Sequence, residues 1–226
     1  MYVFNALVAI NASIIISLAG SASGFITTKN RYTYKCSEKN LSKQEQEDLW
    51  NSNASYFDNP ESNFPLVKHI TSNTWPRSSF GRKLKKKAAR PWMHNVEVKE
   101  LQPPHPLAGQ LGLFAAVPVK QFDIVGEYCG EVFDEDDGGE YATYLENRED
   151  KYALGVDAQR EGNESRFINH YQGIASEQDG PNVVMKITYV EELPRVMIVC
   201  KRDINVGEEL LLQYSDEYVQ AYIGGE

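Results

Sequence analysis

Arg166-Phe167-Ile168-Asn169-His170 and, further along, Gly207-Glu208-Glu209-Leu210-Leu211-Leu212-Gln213-Tyr214 are the stretches on which the reading of this chain turns. The first ends a β-prone run with arginine, asparagine and histidine, which brings several hydrogen-bonding groups to one point. A plain turn cap is the alternative use of Asn-His. The second follows Lys201 to Val206, a strand end running into a turn; Glu209 and Leu210 then begin a strand, and Tyr214 stands at its far end. Working outward, Leu111-Gly112-Leu113-Phe114-Ala115-Ala116 and Ile124-Val125-Gly126-Glu127-Tyr128-Cys129-Gly130-Glu131 precede both. From about residue 95 short β-rich runs follow one another: Asn95 to Leu101 with alternating Val96 and Val98, Ile124 to Tyr128, Asn182 to Val190, and Val196 to Cys200. Gly and Asp/Asn punctuation separates them. This pattern predicts a mainly β fold of several small sheets with few short helices.

In this order the four stretches resemble the SET domain of protein lysine methyltransferases, over residues 95–222. The resemblance implies a knot-like crossing in the fold, S-adenosylmethionine as cofactor, and transfer of its methyl group to a lysine of another protein. By the same resemblance Asn169 and His170 hold the amino acid and adenine ends of the cofactor, Gly112 and Leu113 give it backbone contacts, and Tyr128, Arg166 and Phe167 complete the binding set. Tyr214 is then the catalytic tyrosine, Tyr152 shares its channel, and Leu212, Tyr218 and Tyr222 line the path of the lysine. Methyl transfer needs a neutral amine, so a lysine with a pKa of about 10.4 must first lose a proton. A nearby cationic sulfonium and a dry channel both push it that way.

This chain departs from the family pattern at four places. Tyr171-Gln172 follow His170 where the family has Ser-Cys. Pro181-Asn182 arrives only after the interval Tyr171 to Gly180, which predicts an enlarged loop. Gln213 replaces an aspartate, and Gly112 is preceded by Gly109, Gln110 and Leu111, so that one glycine of the family's pair is displaced. A SET module that binds basic peptides without catalysis is the alternative these departures support.

The three cysteines, Cys36, Cys129 and Cys200, show no CxxC spacing among the 226 residues. No zinc cluster or disulfide framework follows from them, no metal is expected, and the default is buried free thiols. The cysteine clusters that flank many SET domains are therefore not expected here, which makes this a minimal form with any lid supplied by Tyr218, Tyr222, the N-terminal region or a partner. The net charge of -9 is unevenly spread: residues 1–100 hold 14 Lys/Arg against 8 Asp/Glu, a net of +6, and residues 101–226 hold 9 against 24, a net of -15. So acidic a region repels nucleic acid and steers a basic, lysine-containing peptide, a histone among the possibilities, toward it.

Residues 1–24 read as a signal peptide or hydrophobic anchor, the sole candidate for membrane contact, and Ala22-Ser23-Gly24-Phe25 resembles a plastid-targeting junction. Secretory or plastid entry follows. Residues 25–94 form a polar region in which Ser42 and Glu45 predict a capping box and a helix near 43–51. Its basic cluster at 82–90 leaves a nuclear address, or a solvated loop, as the other reading.

Overall fold

In a computed structural model of the chain, residues 41–57, 59, 66–74, 95–133, 139–147, 153–175, 179–190 and 193–219 are described. The hydrophobic segment 1–24, the basic cluster 82–90, Tyr152 and Tyr222 lie outside the described residues.

Helix α1, Lys43–Ala54, begins where the capping box predicts: Ser42 Oγ accepts from Glu45 N at 3.3 Å, and Glu45 Oε2 accepts from Ser42 N at 2.8 Å. The helix is polar almost throughout, and Asn53 is its buried residue. The Asn53 amide donates to Val96 O and accepts from Val98 N, both at 2.8 Å, so it pairs with the strand edge as a neighbouring backbone would. Phe57 and Val67, 3% and 1% exposed, belong to the same core cluster as Val96, Leu113 and Ile168. The core thus reaches into the stretch that the sequence reads as a polar appendage.

Strands β1 (Lys68–His69), β2 (Val96–Glu100), β3 (Leu111–Ala115), β4 (Ile124–Glu127), β5 (Glu131–Phe133), β6 (Ala142–Asn147) and β7 (Ala153–Asp157) lead to β8 (Glu161–Gly162). A 3-10 turn, Glu164–Phe167, then precedes β9 (Asn169–His170), β10 (Val183–Val190), β11 (Leu193–Cys200) and β12 (Leu211–Leu212). They form small sheets, β2-β3, β5-β7-β6, β10-β11-β4, and the parallel pairs β1-β8 and β9-β12. The fold is therefore the expected mainly β one, and β4 is buried at every position because other elements cover both of its faces.

The last pair produces the crossing. Leu212 O accepts from Tyr171 N at 2.9 Å, and Leu211 O accepts from Asn182 N at 3.1 Å, so β12 lies between the two ends of the 171–182 loop and bonds to both.

Two buried charges fasten the interior. Glu127 and Arg195, 1% and 7% exposed, form a two-point pair in which Arg195 Nε donates to Oε1 at 2.8 Å and a terminal nitrogen meets Oε2. Asn73 adds a donor to Oε1 at 3.3 Å, another contact from the N-terminal region. Cys129 and Cys200 are buried free thiols, and burial pushes Cys200 up to about 12.

Candidate active site

Side chains distant in sequence converge on a cleft that opens to solvent. Tyr128, Tyr141, Arg166, Ile168, Leu212, Tyr214 and Tyr218 are among its walls. Tyr214 is placed by the parallel β9-β12 pair: just beyond β12 its amide donates to His170 Nδ1 at 2.9 Å, and its hydroxyl donates to Ile168 O at 2.7 Å. Because His170 Nδ1 accepts, the ring hydrogen sits on Nε2, which donates to Gln172 Oε1 at 3.0 Å. Tyr218, on the short helix Asp216–Tyr218, stands edge-on to Tyr214 with ring centres 5.0 Å apart. Burial first, and Tyr218 next, push the Tyr214 phenol well above its ordinary value. Tyr214 is therefore a neutral hydroxyl and not a phenolate base at physiological pH.

A second tyrosine is fixed from two sides. Tyr128 is 6% exposed and its hydroxyl donates to Tyr141 O at 2.7 Å. The Arg166 guanidinium lies over the Tyr141 ring at 4.3 Å and over Phe167 at 5.1 Å, while Nε donates to Ala158 O at 3.1 Å. Arg166 is only 8% exposed and borders the cleft, so a cation is held beside the tyrosines.

A polar cluster surrounds Gly112. Asn169 Nδ2 donates to Leu111 O and to Glu209 Oε1, each at 3.0 Å. A Cβ on Gly112 would meet that same Glu209 oxygen at 2.8 Å and Leu101 Cδ2 at 2.9 Å, so the close approach that requires glycine is made by a carboxylate. Gly109, at φ +87° with open space around it, serves the turn of the β2-β3 hairpin. Asn182 is 1% exposed; it donates to Glu209 O at 2.7 Å and to Glu208 Oε1 at 3.2 Å, and accepts from Leu211 N at 2.8 Å. It thereby cross-links the Gly-Glu-Glu-Leu segment to the far end of the loop.

The residues singled out in the sequence separate into three groups. Tyr128, Arg166, Leu212, Tyr214 and Tyr218 meet at the cleft. Tyr128 and Arg166, expected at the cofactor, share a wall with Tyr214. Gly112, Asn169 and His170 are not among its walls, though His170 bonds the Tyr214 amide. Leu113 and Phe167 are turned into the core: Leu113 is fully buried and its carbonyl already accepts from Leu210 N at 2.7 Å, and Phe167 packs on Phe57 at 5.3 Å. Tyr141, Glu209 and Asn182 were not singled out as site residues. Pro181-Asn182 was a visible signal for the last, whereas Tyr141 reaches the cleft through contacts with Tyr128 and Arg166 that no local pattern displays. Among the described residues no group of His, Cys, Asp and Glu gathers as a metal site.

The SET-domain family model matches residues 110–215. The histone-lysine N-methyltransferase EZH2 of Chaetomium thermophilum is 34% identical over 120 residues, 47% of this chain and 7% of that protein. The histone-lysine N-methyltransferase set1 of Dictyostelium discoideum is 33% identical over 115 residues, 46% of this chain and 7% of that protein. The H3 lysine-4 specific histone-lysine N-methyltransferase of Schizosaccharomyces pombe is 36% identical over 112 residues, 46% of this chain and 11% of that protein. The chain thus spans about a tenth or less of these relatives' lengths. Among solved structures, the Chaetomium thermophilum polycomb repressive complex 2 is 32% identical at a TM-score of 0.43, covering 54% of this chain and 15% of that one.

Proposed function

Residues 110–215 of this chain are a SET domain, and from that premise we propose that the protein is an S-adenosylmethionine-dependent lysine methyltransferase acting on a basic protein substrate. The observation that carries the proposal is the meeting of Tyr214, Tyr141 and Leu212 at one cleft, with Asn169, bonded to Glu209, on the strand that pairs with β12 just before Tyr214.

The donor set suits the cofactor. Around Gly112 stand the Leu111 carbonyl, the Glu209 carboxylate and an Asn169 amide whose two hydrogens are both engaged. Acceptor oxygens of this kind suit a ligand that carries an ammonium and a sulfonium. Asn169, Glu209, the Leu111 backbone and His170 are the residues that would hold it, and when bound it would supply an electrophilic methyl group.

The chain's own groups prepare the lysine. With its hydrogen donated to Ile168 O, the Tyr214 hydroxyl meets an incoming amine as an acceptor, so it orients an N–H and leaves the nitrogen lone pair to face elsewhere. Arg166 brings a buried like charge to the cleft and disfavours a protonated amine there, as does the apolar wall of Ile168, Val183 and Leu212. No carboxylate base is needed. The substrate class follows from charge: the net of -15 over residues 101–226 favours lysines flanked by Lys or Arg.

Incubation with S-adenosylmethionine and lysine peptides of basic or acidic sequence tests this by mass spectrometry. Methylation of the basic peptides, declining as salt rises, is expected. Equal methylation of both at low salt would remove charge steering, and cofactor binding without any transfer would turn the reading to a peptide-binding SET module.

A further inference from the structure

The β2-β3 loop, residues 101–110, carries a histidine that reaches out of its own hairpin. His105 Nδ1 accepts from Leu107 N at 3.0 Å, which places the ring hydrogen on Nε2. That nitrogen lies 3.0 Å from Glu209 Oε2. The other Glu209 oxygen accepts from Asn169 Nδ2, whose second hydrogen goes to Leu111 O. The three side chains form one line, His105 to Glu209 to Asn169, and the Glu209 side chain is 9% exposed.

Each link restricts the next. A flipped Asn169 amide would aim its carbonyl oxygen at both a carboxylate and a peptide carbonyl, so only one orientation is compatible with Glu209 where it stands. Glu209 in turn has a flexible side chain, and the absence of a Cβ on Gly112 leaves it space. The bond from His105 is what secures its outer oxygen. We propose that His105 is a positioning residue for cofactor binding: through Glu209 it locks the Asn169 amide with its carbonyl oxygen available to the ammonium of the methyl donor. The inference rests on the reading that Asn169 contacts that ammonium.

The test measures affinity for two ligands, S-adenosylhomocysteine and its deaminated analogue, which lacks only the α-amino group. Their ratio in one variant cancels any general loss of folding. Isothermal titration of the full chain should give a ratio of at least tenfold in the wild type, at least fivefold smaller in His105→Phe, and near the wild-type value in His105→Gln, which retains a donor. Should His105→Phe not fold, Glu209→Gln decides by the same ratio, and a reduced ratio is expected. An unchanged ratio in His105→Phe, or in Glu209→Gln where that variant stands in, overturns the role of His105 or of the line through Glu209 respectively. If Asn169→Ala still shows a collapsed ratio, the site reading survives that failure. If the wild type itself does not distinguish the two ligands, the reading of Asn169 fails, and the inference with it.

Discussion

Gly112→Ala inserts one methyl group at the point where the hairpin, Glu209 and Asn169 touch. The new Cβ would stand 2.8 Å from Glu209 Oε1, 2.9 Å from Leu101 Cδ2 and 3.2 Å from Phe114 Cε2. Two of these distances are closer than packed atoms tolerate, so something must move. Leu101 Cδ2 is the free end of a side chain and yields easily, whereas the Glu209 carboxylate is tied at 3.0 Å to Asn169 and at 3.0 Å to His105. Hydrogen bonds to charged groups are worth about 1.5–3 kcal/mol each, and overpacking a core costs about 1–3 kcal/mol. The substitution strains both bonds without abolishing either, so the expected loss of stability is about 1–3 kcal/mol, read from the urea midpoint at constant slope. Repeating it in a Glu209→Ala background tests the cause. There the obstructing oxygen is gone, and Gly112→Ala should cost at least about 1 kcal/mol less, which is a coupling energy typical of side chains in contact. Equal costs in the two backgrounds would refute the claim that Glu209 is what keeps this position a glycine.

Other consequences follow from the same geometry. Leu212 lines the cleft and has no hydroxyl to hold the amine or a water, so di- or trimethylation is expected, and Leu212→Tyr should shift products toward monomethyl-lysine in a long incubation followed by mass spectrometry. A wild-type enzyme that stops at one methyl with excess cofactor would show that another side chain fills that space. Arg195→Ala removes the partner of buried Glu127 and should destabilise the fold by about 3–5 kcal/mol; a loss below about 1 kcal/mol in urea denaturation would mean that the pair contributes little. Burial raises Tyr128, Tyr214, Cys129 and Cys200 above their ordinary values, so the unfolded chain gives up protons at alkaline pH that the native chain keeps. Stability is then full below about pH 8.5 and falls as pH rises through the unfolded thiol and phenol range, by about 1.4 kcal/mol per pH unit for each such group. Denaturation midpoints that match at pH 8 and pH 10.5 would contradict this.

What the sequence displays is mostly what neighbours in the chain decide. The Ser42–Glu45 box starts α1 because both of its bonds close within four residues, and the β-branched run from Val183 pairs antiparallel with the run ending at Cys200, its near neighbour in the chain. The Asn-His and Gly-Glu-Glu-Leu motifs point to a site through their order and their resemblance to the SET family, since Asn-His by itself also serves as a turn cap. Direction was less legible than identity. Phe167 sits inside a motif, yet the 3-10 turn that carries it aims its ring at Phe57, a residue from a stretch too polar to announce a core contribution. Tyr141 does not stand out in the sequence beside Tyr152, which lies outside the described residues, since what brings Tyr141 to the cleft is a hydroxyl from Tyr128 and a guanidinium from Arg166. Glu209 read as a strand beginning; its contact with His105, 104 residues away, depends on the finished fold.

On the proposed function Tyr214 stands where the methyl donor and the lysine meet, and a single substitution probes that placement. Tyr214→Phe keeps the ring against His170 and Tyr218 and removes the hydroxyl that bonds Ile168 O at 2.7 Å. Methyl transfer from S-adenosylmethionine to a basic lysine peptide is measured by mass spectrometry for the two proteins side by side, with cofactor affinity determined on the same samples. The wild type is expected to methylate the peptide, and Tyr214→Phe to bind cofactor normally but transfer at least about a hundredfold more slowly, about 2.7 kcal/mol or more of barrier. A Tyr214→Phe protein as active as the wild type, or a folded wild type that binds cofactor and methylates no lysine peptide, would contradict it.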